Sequence, residues 1–267
     1  MDNKELFEFR NVSFYYDKNK ALDNISLSIK PGKFYGIVGP NGCGKTTLLD
    51  LLVRNKTPES GTIKYHGQEI NKYSRKNLAK NIALVPQDFY INFSFSVGET
   101  VLMGRHPYIP RFASPSSEDL KIVDKIMDDL KITSFKDKNI TDLSGGEKQR
   151  VIFARALAQN TPVLILDEGT SNMDIQYTLN IMDIVANGVE AKKRTVIAVM
   201  HDLNLASVYC DRLVFMKSGR VVSEGNIDKV LSKRNIKDVF GIDCNISYDK
   251  YSESKHVIFR RRKLENG

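Results

Sequence analysis

The chain has 267 residues, 41% of them hydrophobic and 27% charged, and its 40 Lys and Arg outnumber 32 Asp and Glu for a formal charge of +8. That composition is too apolar for a disordered chain, and the length suits one large α/β domain or two small ones rather than a long multidomain machine. Apolar runs such as residues 163–166 and 196–200 fall far short of the roughly 20 residues that a bilayer helix needs, so no span of a membrane is expected. The first residues, Met1-Asp2-Asn3-Lys4-Glu5, carry both charge signs and lack the apolar core of a secretory signal, which predicts a cytoplasmic address.

In chain order, residues 6–16 and 21–29 read as strands, Pro31-Gly32 as a turn, and residues 34–38 as an apolar strand running into a glycine-rich loop. The rhythm then becomes strand followed by helix. Continuous apolar strands are predicted at 82–85, 163–166, 195–199 and 213–216, the pattern of a largely parallel sheet covered by helices. Residues 6–29 form an antiparallel appendage to it. Strand signals vanish between Gln87 and Leu143, where Leu120, Val123, Met127 and Leu130 fall at helical spacing behind an N-cap at Ser116 or Ser117. This segment reads as a helical subdomain inserted at about residues 88–160. After Gly225 the chain offers one short helical stretch, a weak strand near residues 257–259 and the basic run Arg260-Arg261-Arg262-Lys263, which reads as a solvated, flexible end. The expected division is a main domain at 1–225 and a C-terminal extension at 226–267.

The stretch Gly39-Pro40-Asn41-Gly42-Cys43-Gly44-Lys45-Thr46 has two glycines five positions apart, then lysine and a hydroxyl. Glycines let successive N–H groups face an anion, and the helix from Lys45 to about residue 53 presents its positive end to the same point. Lys45 would reach the β- and γ-phosphates, and the Thr46 hydroxyl would ligate Mg²⁺. Cys43 reads as a small residue filling the loop, with a helix-activated thiolate as the minority alternative. A second chemical element is the apolar strand ending in Asp167-Glu168, which aims Asp167 at the metal and leaves Glu168 to polarise an attacking water. Leu143-Ser144-Gly145-Gly146-Glu147 then supplies another anion cradle at a helix N-terminus, from residue 147 to about 158.

At these residues the sequence resembles the ATP-binding cassette (ABC) family, whose signature LSGGQ here reads LSGGEK over residues 143–148. The resemblance runs from about residue 6 to 225 and implies an α/β P-loop ATPase: a mainly parallel sheet, an antiparallel β subdomain and an inserted helical subdomain. It implies ATP and Mg²⁺ as ligands. It implies that Lys45, Thr46, Thr47 and the loop residues Gly39, Asn41, Gly42, Cys43 and Gly44 bind nucleotide, and that Tyr16, with Tyr15 as the neighbouring alternative, stacks on adenine. Gln87 corresponds to the Q-loop glutamine at the metal or attacking water, and His201 to the switch histidine on the γ-phosphate. Ser144, Gly145 and Gly146, with Asp174 of the Ser171-Asn172-Met173-Asp174 segment, would close over the nucleotide of a second copy in a head-to-tail dimer. Gly169, where the family usually has proline, and Met173, where leucine is common, leave the catalytic groups untouched.

The segments 67–70, 73–79 and 97–107, including Met103-Gly104-Arg105, look like those ABC ATPases that drive uptake of iron-siderophore, haem and cobalamin chelates. That likeness implies a peripheral position on the cytoplasmic face of the membrane, separate integral-membrane permease subunits, and indirectly an extracytoplasmic solute-binding protein. Tyr90, Phe93 and Phe95 are candidates for a groove that takes a permease helix, with burial inside the subdomain as the other reading. An exporter with a separate membrane partner is the alternative function. No nucleic-acid partner is expected, because the stretch from Gln87 to Leu143 has neither sustained heptads nor paired cysteines.

Overall fold

The structure, a computed structural model, describes residues 5–87, 89, 94–168 and 173–260. The first elements are β1 (Phe7–Tyr16), β2 (Asn19–Ile29), β3 (Phe34–Val38), α1 (Lys45–Leu52), β4 (Ser60–Tyr65), β5 (Gln68–Glu69), α2 (Arg75–Asn81) and β6 (Ile82–Val85). Three helices follow: α3 (Val97–Leu102), α4 (Ser117–Asp129) and α5 (Gly145–Ala158). The chain then returns through β7 (Val163–Leu166), α6 (Ile175–Glu190), β8 (Thr195–Val199), α7 (Leu203–Tyr209), β9 (Arg212–Lys217) and β10 (Arg220–Asn226). It ends with α8 (Ile227–Val230), α9 (Lys233–Phe240) and the hairpin β11 (Cys244–Asp249) and β12 (Ser254–Phe259).

Strands β3, β7 and β8 are buried at every residue, which explains their unbroken apolar composition. They lie in a six-stranded sheet of order β10-β9-β3-β8-β7-β6, parallel throughout except for the antiparallel edge strand β10. Alternate residues feed two cores. Phe34, Val38, Leu164, Leu166, Val196 and Ala198 face the larger one with the helices around α5. Tyr35, Ile37, Val163, Ile165, Ile197 and Val199 face the smaller one, closed by α1 and the antiparallel sheet β2-β1-β4-β5.

The helical insertion is tied by local chemistry. Capping boxes start α3, α4 and α5 at Ser96, Ser116 and Ser144, with Glu99, Asp119 and Glu147 as the reciprocal acids. Of the two serines offered by the sequence, Ser116 is the cap of α4. The three helices pack on one another, and α5 also lies against β6, which joins the insertion to the sheet. Among the described residues no helix is long and apolar enough to cross a membrane.

Residues 227–257 of the C-terminal segment pack onto the larger core. Ile227 and Val230 of α8, Leu231, Ile236 and Val239 of α9, and Val257 of β12 all join the larger core. The hairpin docks on α7 through a two-way backbone clasp, in which Val257 N–H donates to Asn204 Oδ1 at 2.6 Å and Asn204 Nδ2 donates to the Val257 carbonyl at 3.3 Å. These short elements bury at most two residues each, so their signal in sequence is faint. Arg261, Arg262 and Lys263 lie outside the described residues. Replacing Asn204 with Ala should destabilise the fold by about 1–2 kcal/mol and speed amide exchange across β12 before the rest of the chain; unchanged β12 protection would show that the clasp does not hold the hairpin.

Candidate functional site

Parallel strands put all their C-terminal ends on one edge of a sheet, and here the register does so residue by residue. Val85 pairs with Leu166, Leu166 with Ala198, and Ile37 with Val199. Each strand then ends within two residues of a polar group: Gln87 after β6, Glu168 after β7, His201 after β8, and the loop from Gly39 after β3. The side chains meet. Gln87 Nε2 donates to Glu168 Oε2 at 2.9 Å, and His201 Nε2 lies 2.5 Å from Glu168 Oε1. Glu168 itself has a left-handed backbone, φ 53°, a conformation that costs a non-glycine residue on the order of 1 kcal/mol and that recurs at functional sites.

The loop 39–46 closes tightly for reasons specific to glycine. A Cβ on Gly39 would fall 2.2 Å from the Met216 carbonyl oxygen, and one on Gly44, at φ 101°, 2.5 Å from that of Ala21. Gly44 is the N-cap of α1 and offers no side chain there, leaving the first N–H groups of that helix open to an anion. Lys45 is buried, and its ammonium donates to the carbonyls of Gly39 at 2.9 Å and Pro40 at 3.0 Å. Its partners are neutral, so a buried positive charge faces the loop. Cys43 packs its thiol beside Gly39 in the smaller core, and burial pushes the thiol up rather than toward thiolate. The minority reading of a helix-activated Cys43 is therefore corrected: desolvation outweighs the pull of Lys45. Its backbone N–H donates to Pro40 at 3.3 Å.

Thr46 Oγ1 donates to Asp167 Oδ1 at 3.2 Å. Asp167 is buried, and that desolvation, assisted by the neighbouring charges of Glu168 and Asp50, pushes its carboxyl up to about 6. A hydroxyl and an under-compensated carboxylate are hard oxygen donors, the set that suits Mg²⁺. Because the folded pKa lies above the unfolded one, the penalty is absent below about pH 4, grows between pH 4 and 6, and is complete above pH 6.

Tyr16, Asn41, Gly42, Gly44, Thr46, Thr47, Gln87 and Glu168 line one open cleft of about 630 Å³, together with Asn19, Lys20 and Ala21 at the start of β2. Tyr16 stands at its mouth, 44% exposed, with its hydroxyl 3.4 Å from Thr47 Oγ1 and its ring edge-on to Phe14 at 5.1 Å. Tyr15 is not among the residues lining the cleft, and its ring lies under Lys20. Lys56 sits 4.7 Å over the Tyr16 ring, a cation–π contact across 40 residues that no local pattern could reveal. Residues 19–21 of β2 were equally illegible, since their place in the cleft depends on the pairing of β1 with β2.

Ser144, Gly145 and Gly146 are not part of this cleft. They form the N-terminus of α5, where Ser144 N–H and Oγ donate to Glu147 Oε2 at 2.8 and 2.7 Å. Those bonds hold the Glu147 carboxyl below its ordinary range. Asp174 caps α6 by accepting the Tyr177 N–H at 3.0 Å and is exposed. The structure thus unites the loop, Gln87, Asp167, Glu168, His201 and Tyr16 within one molecule, and leaves Ser144–Gly146 and Asp174 outside. Gly169, Ser171 and Asn172 lie outside the described residues, as do Tyr90 and Phe93; Phe95 is 38% exposed.

In the nucleotide-free chain, Asp167→Asn should raise stability at pH 7.5 by up to about 3 kcal/mol and change little at pH 4. Urea titrations at the two pH values measure this, and equal effects at both would remove burial of the charge as the cause.

Comparison with known proteins follows the same residues. The ABC transporter family matches residues 22–171. The cobalamin import ATP-binding protein BtuD of Halobacterium salinarum is 40% identical over 86% of this chain, which spans only 57% of that protein's length. The ferric enterobactin transport ATP-binding protein FepC of Escherichia coli is 34% identical over 91% of this chain and 90% of its own. Among solved structures, a transporter assigned to the metal-chelate type, in an inward-facing conformation, aligns with a TM-score of 0.81 at 27% identity, covering 97% of this chain and 98% of the other. The chain belongs to the ABC transporter family and has the α/β P-loop fold of its ATP-binding cassettes.

Proposed function

We propose that the chain is the ATP-hydrolysing subunit of an importer for a metal chelate, a siderophore complex, haem or cobalamin, and that it works at the cytoplasmic face of the membrane on separate permease subunits. An extracytoplasmic solute-binding protein would deliver the cargo. The observation that carries the hydrolytic part is the convergence on Glu168, which Gln87 and His201 hold from two neighbouring strands at the edge of the phosphate loop. Import is supported by the printed functions of relatives, cobalamin in one case and ferric enterobactin in another. In this reading residues 1–225 are the ATPase unit with its helical insertion at about 88–160, and 226–267 an extension, of which residues 227–257 pack on that unit.

Within the site, Tyr16 stacks on adenine, a contact worth on the order of 1 kcal/mol. The N–H groups of Gly42, Gly44, Thr46 and Thr47 and the Lys45 ammonium take the phosphates, with Lys45 exchanging two carbonyls for an anion. Thr46 and Asp167 would hold Mg²⁺, whose charge, when bound, offsets that of the β- and γ-phosphates. Glu168 accepts a proton from the attacking water, Gln87 orients that water, and His201 donates to the γ-phosphate. Ser144, Gly145, Gly146 and Asp174 act on the nucleotide of a second copy, consistent with their position away from this chain's own cleft. ATP then closes a head-to-tail dimer, the helical insertion shifts against Gln87, and the permease changes state.

Glu168→Gln should lower turnover by about 10² or more in the assembled transporter while leaving ATP binding intact and favouring a closed dimer. Undiminished turnover would dismiss Glu168 as the base. Mixing Ser144→Arg chains with Lys45→Ala chains should leave one undamaged composite site per pair, read as one retained ATP per dimer; no retention would defeat the two-copy arrangement.

A further inference from the structure

Arg105 belongs to the Met103-Gly104-Arg105 run and takes no part in the cleft, yet it is 7% exposed and fully engaged. Its Nε donates to Asp119 Oδ1 at 2.8 Å, and its Nη1 to the carbonyl of Ala158, the last residue of α5, at 2.9 Å. The guanidinium also lies 4.1 Å from the centroid of the Tyr108 ring. Asp119 divides its two oxygens, with Oδ2 taking the Ser116 N–H at 3.0 Å and the Ser116 hydroxyl at 2.6 Å. One side chain therefore joins three elements: the turn after α3, the N-terminal cap of α4 and the C-terminal end of α5.

The same end of α5 is gripped twice more. A Cβ on Gly104 would meet the Arg155 carbonyl oxygen at 2.1 Å, so the turn before Arg105 lies directly on the last turn of the helix. Gln159 Nε2 donates to the Ile82 carbonyl at 2.9 Å and to that of Ala79, which fastens the helix end to β6 and α2. The Ala158 carbonyl is one of the four that a helix leaves unpaired, and it is wholly buried; without Arg105 it and Asp119 would both lose their partner.

We propose that Arg105 is the positioning residue for the Ser144 cradle, fixing the C-terminal end of α5 as the pivot about which the cradle is aimed. The α5 rod is roughly 20 Å long, and a tilt of about 10° at the pivot displaces its far end by roughly 3–4 Å. That exceeds the tolerance of a hydrogen bond to phosphate. Arg105 acts through α5 on the nucleotide of the other copy, not on its own, and this rests on the two-copy reading above. A lysine would keep the charge but lose the fork that serves Asp119 and Ala158 together.

The test uses full-length chains carrying Glu168→Gln to trap closed dimers. Arg105→Ala alone should bind ATP within about twofold of the parent in its own cleft, yet form at least tenfold fewer ATP-bound dimers, with Arg105→Lys in between. Mixed with Lys45→Ala chains, Arg105→Ala should recover dimers holding one ATP per pair, because the undamaged loop then faces an undamaged cradle. Normal dimer formation by Arg105→Ala alone would overturn the proposal, as would failed recovery in a mixture where Ser144→Arg recovers. If Ser144→Arg also fails, the two-copy reading is what falls. Should Arg105→Ala not fold, the same comparisons are made with Arg105→Lys, and dimer formation equal to the parent's overturns the proposal.

Discussion

The parallel register of β6, β7, β8 and β3 is the constraint from which the site follows. Adjacent strands are locked in step by their backbone bonds, so a residue two positions beyond the end of one lies level with its counterpart on the next. Gln87, Glu168 and His201 meet for this reason and not because any local motif brings them together. The apolar strands that enforce the register are buried on both faces, and the two cores on either side resist slippage, since a shift by one residue would exchange the contents of those cores.

Function is then distributed by distance from that edge. The phosphate loop, Thr46 and Asp167 sit directly on it and gain their properties from burial: a shielded ammonium on one side, an acid with a raised pKa on the other. Tyr16 comes from the antiparallel sheet and reaches the cleft only because β1 ends above α1. The Ser144 cradle is carried at the end of a helix whose other end is fastened to the same sheet through Gln159. Rigid chemistry and movable chemistry thus share a single support.

Much of this was readable in the sequence where a run of residues carries its own signal. Strands 34–38, 82–85, 163–166 and 195–199 coincide with β3, β6, β7 and β8, because fully buried strands are continuous apolar runs. The helix beginning at Lys45 and the one through Val123 and Met127 were equally plain. Sparsely buried strands were not: β10 buries no residue fully, and β4 only Ile63 and Tyr65, so neither stands out against polar surroundings. The docking of 226–260 was missed for a related reason, its apolar residues being divided among four short elements. At the site, the motifs named the loop, Asp167, Glu168 and His201, but the bonds of Glu168 to Gln87 and His201, the cover of Tyr16 by Lys56 and the hub at Arg105 are long-range contacts, visible only once the chain has folded.

The Ser144 N–H and hydroxyl already hold a carboxylate of their own chain, that of Glu147. In the proposed dimer an incoming phosphoryl group therefore does not fill an empty socket; it swaps places with, or crowds beside, a resident anion. At this helix end the gain on closing is then the surplus of one negative group over another, smaller than either would supply alone, which favours a pair that can reopen after each stroke.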